Sequence, residues 1–119
     1  MVDASVTPIS METALEAFQS KSTVFVDARS PENYIEAHIP GAINVPPEQF
    51  DVDAETFMNT VPPDQEVILY CDGPGCHPAE TLSLLMKGAG YEKLLLFSDG
   101  WRGWEKADLP TVSGREGAS

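Results

Sequence analysis

Three short apolar runs punctuate the chain: Thr23-Val24-Phe25-Val26, Val67-Ile68-Leu69-Tyr70 and Leu94-Leu95-Leu96-Phe97. Their brevity and continuity suit strands covered on both faces. Val6 to Ile9 and Ala42 to Val45 read as two shorter strands. Between the runs the period changes. Met11, Ala14, Leu15 and Phe18 fall on one helical face behind a Ser10 N-cap, and that helix should end near Ser20-Lys21. Ser30-Pro31-Glu32 joins an N-cap serine, a proline at the first helical position and an acid in the first turn. The helix it opens must be brief, because Ile39-Pro40-Gly41 reads as a turn. Glu48 to Met58 predicts one or two short helices carrying Phe50 and Phe57 inward, broken by Pro62-Pro63-Asp64. A helix from Pro78, with Glu80 at N3, should bury Leu82, Leu85 and Met86 and stop at Gly88-Ala89-Gly90. Ser98-Asp99-Gly100 leads into a last short helix with Trp101 and Trp104.

Strands alternating with helices along the whole length predict an α/β fold, a central, mainly parallel sheet with helices on both faces. Its 119 residues suffice for one domain with a core that needs no disulfide staples. The expected boundaries are 1–112 for the domain and 113–119 for a polar, frayed tail. The formal charge of −12, from nineteen acidic and seven basic residues, argues against nucleic acid and anionic membranes as partners. It suits a well-solvated surface or a basic protein partner. No apolar run is long enough to cross a bilayer. The first residues, Met1 to Ser5, lack a basic and then apolar secretory pattern, so the cytoplasm is the expected location. Two cysteines are too few for a secreted disulfide framework and, with His77 beside them and His38 far away, too few for a zinc site. No metal or cofactor is expected.

The chemistry concentrates in Tyr70-Cys71-Asp72-Gly73-Pro74-Gly75-Cys76-His77-Pro78. An apolar strand delivers Cys71 to its carboxyl end, and a Gly- and Pro-rich loop then feeds a helix. Ligands of open α/β sheets bind at such places. A thiol there faces the positive end of a helix dipole and free N–H groups, which favour the thiolate. The bland alternative is a small buried apolar thiol at a strand end. Cys76 is either a resolving or relay thiol or a bystander, and a disulfide to Cys71 is geometrically conceivable. His77 either helps hold Cys71 as thiolate or caps the helix.

Four stretches together resemble the rhodanese family. The first is Val24-Phe25-Val26-Asp27-Ala28-Arg29 followed by Tyr34 and by Glu36 to Pro46. The others are the strand ending in Tyr70-Cys71, the Gly90-Tyr91 turn before Leu94 to Phe97, and Gly100 through Trp104 to Leu109-Pro110. The resemblance implies a single rhodanese-like domain in which Cys71 accepts a sulfane sulfur and carries it as a persulfide. It implies a small sulfur donor or a protein persulfide as partner. The active loop would comprise Asp72, Gly73, Pro74, Gly75, Cys76 and His77, whose N–H groups (Pro74 excepted) suit an anionic persulfide. The commonest family loop carries an Arg or Lys where Cys76 stands here. This loop looks like a Cys-x-x-Pro-x-Cys-His variant, and without the cation a small dianion such as thiosulfate should bind less well. Arg29 is then either the partner of a nearby acid or the missing cation, and Trp101 is expected to wall the pocket. Asp27 and His38 read as structural. Competing functions are a non-catalytic redox-sensing or protein-docking module using the Cys71/Cys76 pair, and a dithiol redox enzyme. Phosphatase or arsenate reductase chemistry would need an arginine closing the loop, and no Arg or Lys lies between Tyr70 and Met86.

Overall fold

The apolar runs become the middle of a five-stranded sheet. In the computed structural model, which describes residues 7–73 and 77–114 apart from the side chains of 51 and 53, the strands are β1 (Thr7–Ile9), β2 (Val24–Asp27), β3 (Ile43–Asn44), β4 (Val67–Tyr70) and β5 (Leu94–Phe97). Their order is β1-β5-β4-β2-β3, and every neighbouring pair runs parallel. Parallel pairing follows from the connections: each strand is joined to the next through a helix, α1 (Met11–Ser20), α2 (Pro31–Glu36), α3 (Pro47–Thr60) or α4 (Pro78–Gly88), with α5 (Gly100–Lys106) after β5.

Local signals fix the helix ends. Ser10 Oγ accepts a hydrogen bond from Thr13 N at 3.2 Å, and Ser30 Oγ one from Asn33 N at 3.3 Å. Helix α1 closes on Lys21 in the left-handed conformation. Residues 48–58, expected as one or two short helices, form part of one 14-residue helix. No glycine or proline interrupts them, and Phe50 and Phe57 pack edge to face with ring centroids 6.3 Å apart.

Alternation along the strands divides the core in two. Val26, Val67, Leu69 and Leu94 face α3 and α4, against Phe50, Phe57, Leu82 and Met86. Phe25, Ile68, Tyr70 and Phe97 face the other way, against Ala14, Tyr34 and Trp104. Truncating a side chain such as the fully buried Leu69 to alanine would cost about 2–5 kcal/mol. Trp104 Nε1 donates to Pro110 O at 2.7 Å, which starts a strap back across the domain. His38 and Val112 exchange backbone hydrogen bonds of 2.8 and 3.0 Å. Ser113 Oγ and Gly114 N, in the segment expected to fray, donate to Glu36 O and Ile35 O. The rest of that tail, 115–119, lies outside the described residues.

An all-parallel sheet puts the carboxyl ends of its strands on one edge. Ala28-Arg29 after β2, Cys71-Asp72 after β4 and Ser98-Asp99 after β5 therefore converge.

Candidate active site

Cys71 is the first residue beyond the central strand β4 and is 4% exposed. Its backbone is clamped by α5. Trp101 N donates to Cys71 O and Arg102 N to Asp72 O, each at 2.8 Å. Gly100 makes that approach feasible. Its φ is +62°, and a Cβ there would stand 2.5 Å from Cys71 O and 2.9 Å from Gly73 N. Cys71 is disulfide-bonded, and no cysteine among the described residues is free. Beyond Gly73 the loop positions Pro74, Gly75 and Cys76 lie outside the described residues. The chain is described again at His77, which precedes α4 in helical conformation without a side-chain cap and has Pro78 behind it at N1. His77 Nδ1 lies 3.7 Å from Glu80 Oε1, both exposed, a contact worth little to stability.

Beneath the loop is a buried polar network. Arg29 Nη2 donates to Asp27 Oδ2 at 2.7 Å, Arg29 Nε reaches both Asp27 oxygens at 3.1 Å, and Nη2 also donates to Ala37 O at 2.6 Å. Tyr70, immediately before the cysteine, donates its O–H to Asp27 Oδ2 at 2.8 Å and accepts from Ile39 N at 3.2 Å. Asn44 Nδ2 bonds Asp27 O and Arg29 O, both at 3.0 Å, fixing the turn that carries them. Burial and then the Asp27 charge push the Tyr70 hydroxyl far above its ordinary range. Burial alone would lower the Arg29 pKa, but its hydrogen bond and charge pairing with Asp27 outweigh that and leave it raised. The Arg29 guanidinium carbon lies 4.7 Å from the centroid of the Trp101 ring, which is itself nearly buried. His38 is fully buried and stacked on Tyr34; the 2.7 Å contact from its Nδ1 to Tyr34 O requires the proton on Nδ1.

A cavity of about 400 Å³ opens between the β2 and β4 loops and the start of α4. Cys71, Asp72 and His77 line one side, Ala28 and Arg29 another, and Thr81 the helix side. A depression of about 480 Å³ at the far end of β2, between Phe18, Phe25, Ile43 and Val61, contains no cysteine, so shape alone does not mark the site. Among the described residues no three of His, Cys, Asp and Glu gather as a metal site.

Of the residues singled out from the sequence, Cys71, Asp72, His77 and Arg29 therefore share one cavity. Gly73 packs against α5, with Asp99 O and Arg102 Cδ 3.6 Å from where its Cβ would be. Trp101 joins the group through Arg29. Sequence reasoning missed the Tyr70 hydroxyl as an anchor for Asp27, the close approach at Gly100, and Ser30, Asn33 and Pro46 in the cavity wall. The position of Gly100 at the turn from an apolar strand into a helix, just beyond β5, was the signal available for the second of these.

The family model for the rhodanese-like domain matches residues 10–107. Among curated proteins, an HTH-type transcriptional regulator of Mycobacterium tuberculosis is 35% identical over 97 residues, covering 81% of this chain and 40% of the regulator. A sulfurtransferase of Allochromatium vinosum is 27% identical over 94 residues, covering 79% of this chain and 82% of that protein. The chain thus spans well under half of the regulator and most of the sulfurtransferase. Among solved structures, a Bacillus halodurans protein superposes with a TM-score of 0.80 at 22% identity, over 90% of this chain and 77% of that one. The human single-domain sulfurtransferase superposes at 0.71 and 19% identity, over 87% and 97%. These likenesses bear on the fold. No helix among the described residues is long and apolar enough to cross a membrane. With its all-parallel five-stranded sheet and a family match over residues 10–107, the chain belongs to the rhodanese-like domain family.

Proposed function

We propose that the domain is a sulfurtransferase that carries a sulfane sulfur as a persulfide on Cys71. The supporting observation is Cys71's position, at the carboxyl end of the central strand and lining a cavity that the start of α4 also lines. Relatives named as sulfurtransferases are in keeping with it. The Cys71 thiolate attacks the outer sulfur of a donor such as thiosulfate. The new S–S bond forms as the S–SO3 bond breaks, and sulfite leaves with the electron pair. A nucleophilic acceptor, a thiolate or cyanide, then attacks the outer sulfur and Cys71 leaves as thiolate. The backbone N–H groups of the loop Asp72, Gly73, Pro74, Gly75, Cys76 and His77, Pro74 excepted because it has none, and the first turn of α4 stabilise the persulfide anion. Arg29, committed to Asp27, positions the cavity wall. The cycle starts from reduced Cys71. Cys71 is disulfide-bonded in this structure, so a thiol reductant supplying two electrons opens the site. The sulfur comes from a small donor or a protein persulfide, the Cys-x-x-Pro-x-Cys-His loop lacking its own cation.

The test is thiocyanate formation from thiosulfate and cyanide by the reduced protein, with 3-mercaptopyruvate as a second donor. Turnover that disappears in Cys71→Ala and survives in Cys76→Ala is the expected result. The disulfide favours one second reading, a redox-sensing module. Reversible oxidation of Cys71 by mild peroxide, with no turnover on either donor, would decide for that reading.

A further inference from the structure

Two guanidinium groups lie near the cysteine loop, and only one is consumed. Arg29 spends its Nε and Nη2 donors on Asp27 and Ala37 O. Arg102 belongs to α5, is exposed, and among the described residues makes no ion pair or side-chain hydrogen bond. It is nevertheless fastened to the loop. Its N–H donates to Asp72 O, and its Cβ and Cδ lie 3.8 and 3.6 Å from where a methyl group on Gly73 would stand. Gly73 is two residues from Cys71, at most roughly 7 Å along the chain. The Arg102 charge therefore sits on the order of one Debye length, about 10 Å at 0.1 M salt, from the thiol.

The setting gives that charge a task. The whole chain carries −12, and Asp72 and Glu48 in the cavity wall and Asp99 just before α5 add to the repulsion an anion meets at this edge. Lys106, one turn along α5, shares a shallow depression with Arg102 and Asp99. We propose that Arg102 is the specificity-determining cation of the Cys71 site, selecting anionic over neutral sulfur donors from a helix outside the loop. This rests on Cys71 being the reacting thiol. A single charge at this range, in an exposed setting, changes the encounter of a small anion by about two- to four-fold.

The test needs no sulfur transfer. In a reduced Cys76→Ser background, the rates at which iodoacetate and iodoacetamide alkylate Cys71 are followed by intact mass. The two probes differ chiefly in charge, so their rate ratio reads the local potential. Arg102→Gln should lower the iodoacetate-to-iodoacetamide ratio about two- to four-fold. Arg102→Lys should restore most of it, and added salt should shrink the wild-type advantage. Lys93→Gln removes the same charge just before β5, at the opposite end of the strands, and should leave the ratio unchanged. An unchanged ratio in Arg102→Gln, or an equal fall in Lys93→Gln, overturns the proposal. If the wild type takes no sulfur from thiosulfate while the Arg102→Gln ratio still falls, the sulfurtransferase reading fails and the anion selectivity stands.

Discussion

Replacing Gly100 by alanine tests how the active loop is held, and Gly41 provides a matched control. Both glycines have positive φ, +62° at Gly100 and +84° at Gly41. Left-handed backbone costs an alanine about 1–2 kcal/mol in either place. A Cβ at Gly41 would meet nothing within 4 Å, whereas at Gly100 it would stand 2.5 Å from Cys71 O and 3.0 Å from Asp72 C. Contacts that short force α5 and the loop apart. The separation breaks the 2.8 Å hydrogen bonds from Trp101 N and Arg102 N, worth about 1 kcal/mol net each. Gly41→Ala should therefore cost about 1–2 kcal/mol and Gly100→Ala about 3–4 kcal/mol. The assay is urea denaturation of both variants under reducing conditions, followed by loading of Cys71 with sulfur. A displacement of about 1 Å at a reacting group can cost on the order of a hundred-fold in rate, so Gly100→Ala should also load far more slowly while Gly41→Ala loads normally. Equal stabilities and equal loading rates would refute the view that α5 clamps the loop through Gly100.

Other outcomes follow from the network and the core. Arg29→Ala strands the fully buried Asp27 carboxylate and should cost about 3–5 kcal/mol in urea denaturation; Arg29→Lys keeps the charge, loses the fork, and should fall between the two. Tyr91, whose hydroxyl donates to Val61 O, has its pKa pushed up to about 12 by burial. The folded state thus keeps a proton that the unfolded state loses near pH 10, so stability present below that pH drains away as the pH rises toward 12. Tyr91→Phe should flatten that decline in pH-dependent denaturation, and an identical slope would contradict the assignment.

Much of this arrangement is legible in the sequence because its signals are local. Continuous runs such as Val67 to Tyr70 mark strands covered on both sides, and the Ser10 and Ser30 caps mark helix starts at the residues where the hydrogen bonds are found. Cys71 is conspicuous because a strand ends there and a glycine-rich loop follows. What escaped the sequence depends on residues far apart in the chain. Asp27 and Tyr70 are 43 positions apart and become neighbours only through the β2–β4 register, so their hydrogen bond has no sequence signature. The fit of Gly100 against Cys71 O likewise depends on β5 lying beside β4. Arg102 looks like any surface residue of a short helix until that helix is seen resting on the loop.

The most direct measurement is intact-protein mass spectrometry of reduced protein incubated with thiosulfate and, separately, with 3-mercaptopyruvate. Wild type, Cys71→Ala and Cys76→Ala are run together. The account predicts a gain of one sulfur atom in wild type and Cys76→Ala and none in Cys71→Ala. A gain that persists in Cys71→Ala, or no gain from either donor with fully reduced wild type, would contradict it.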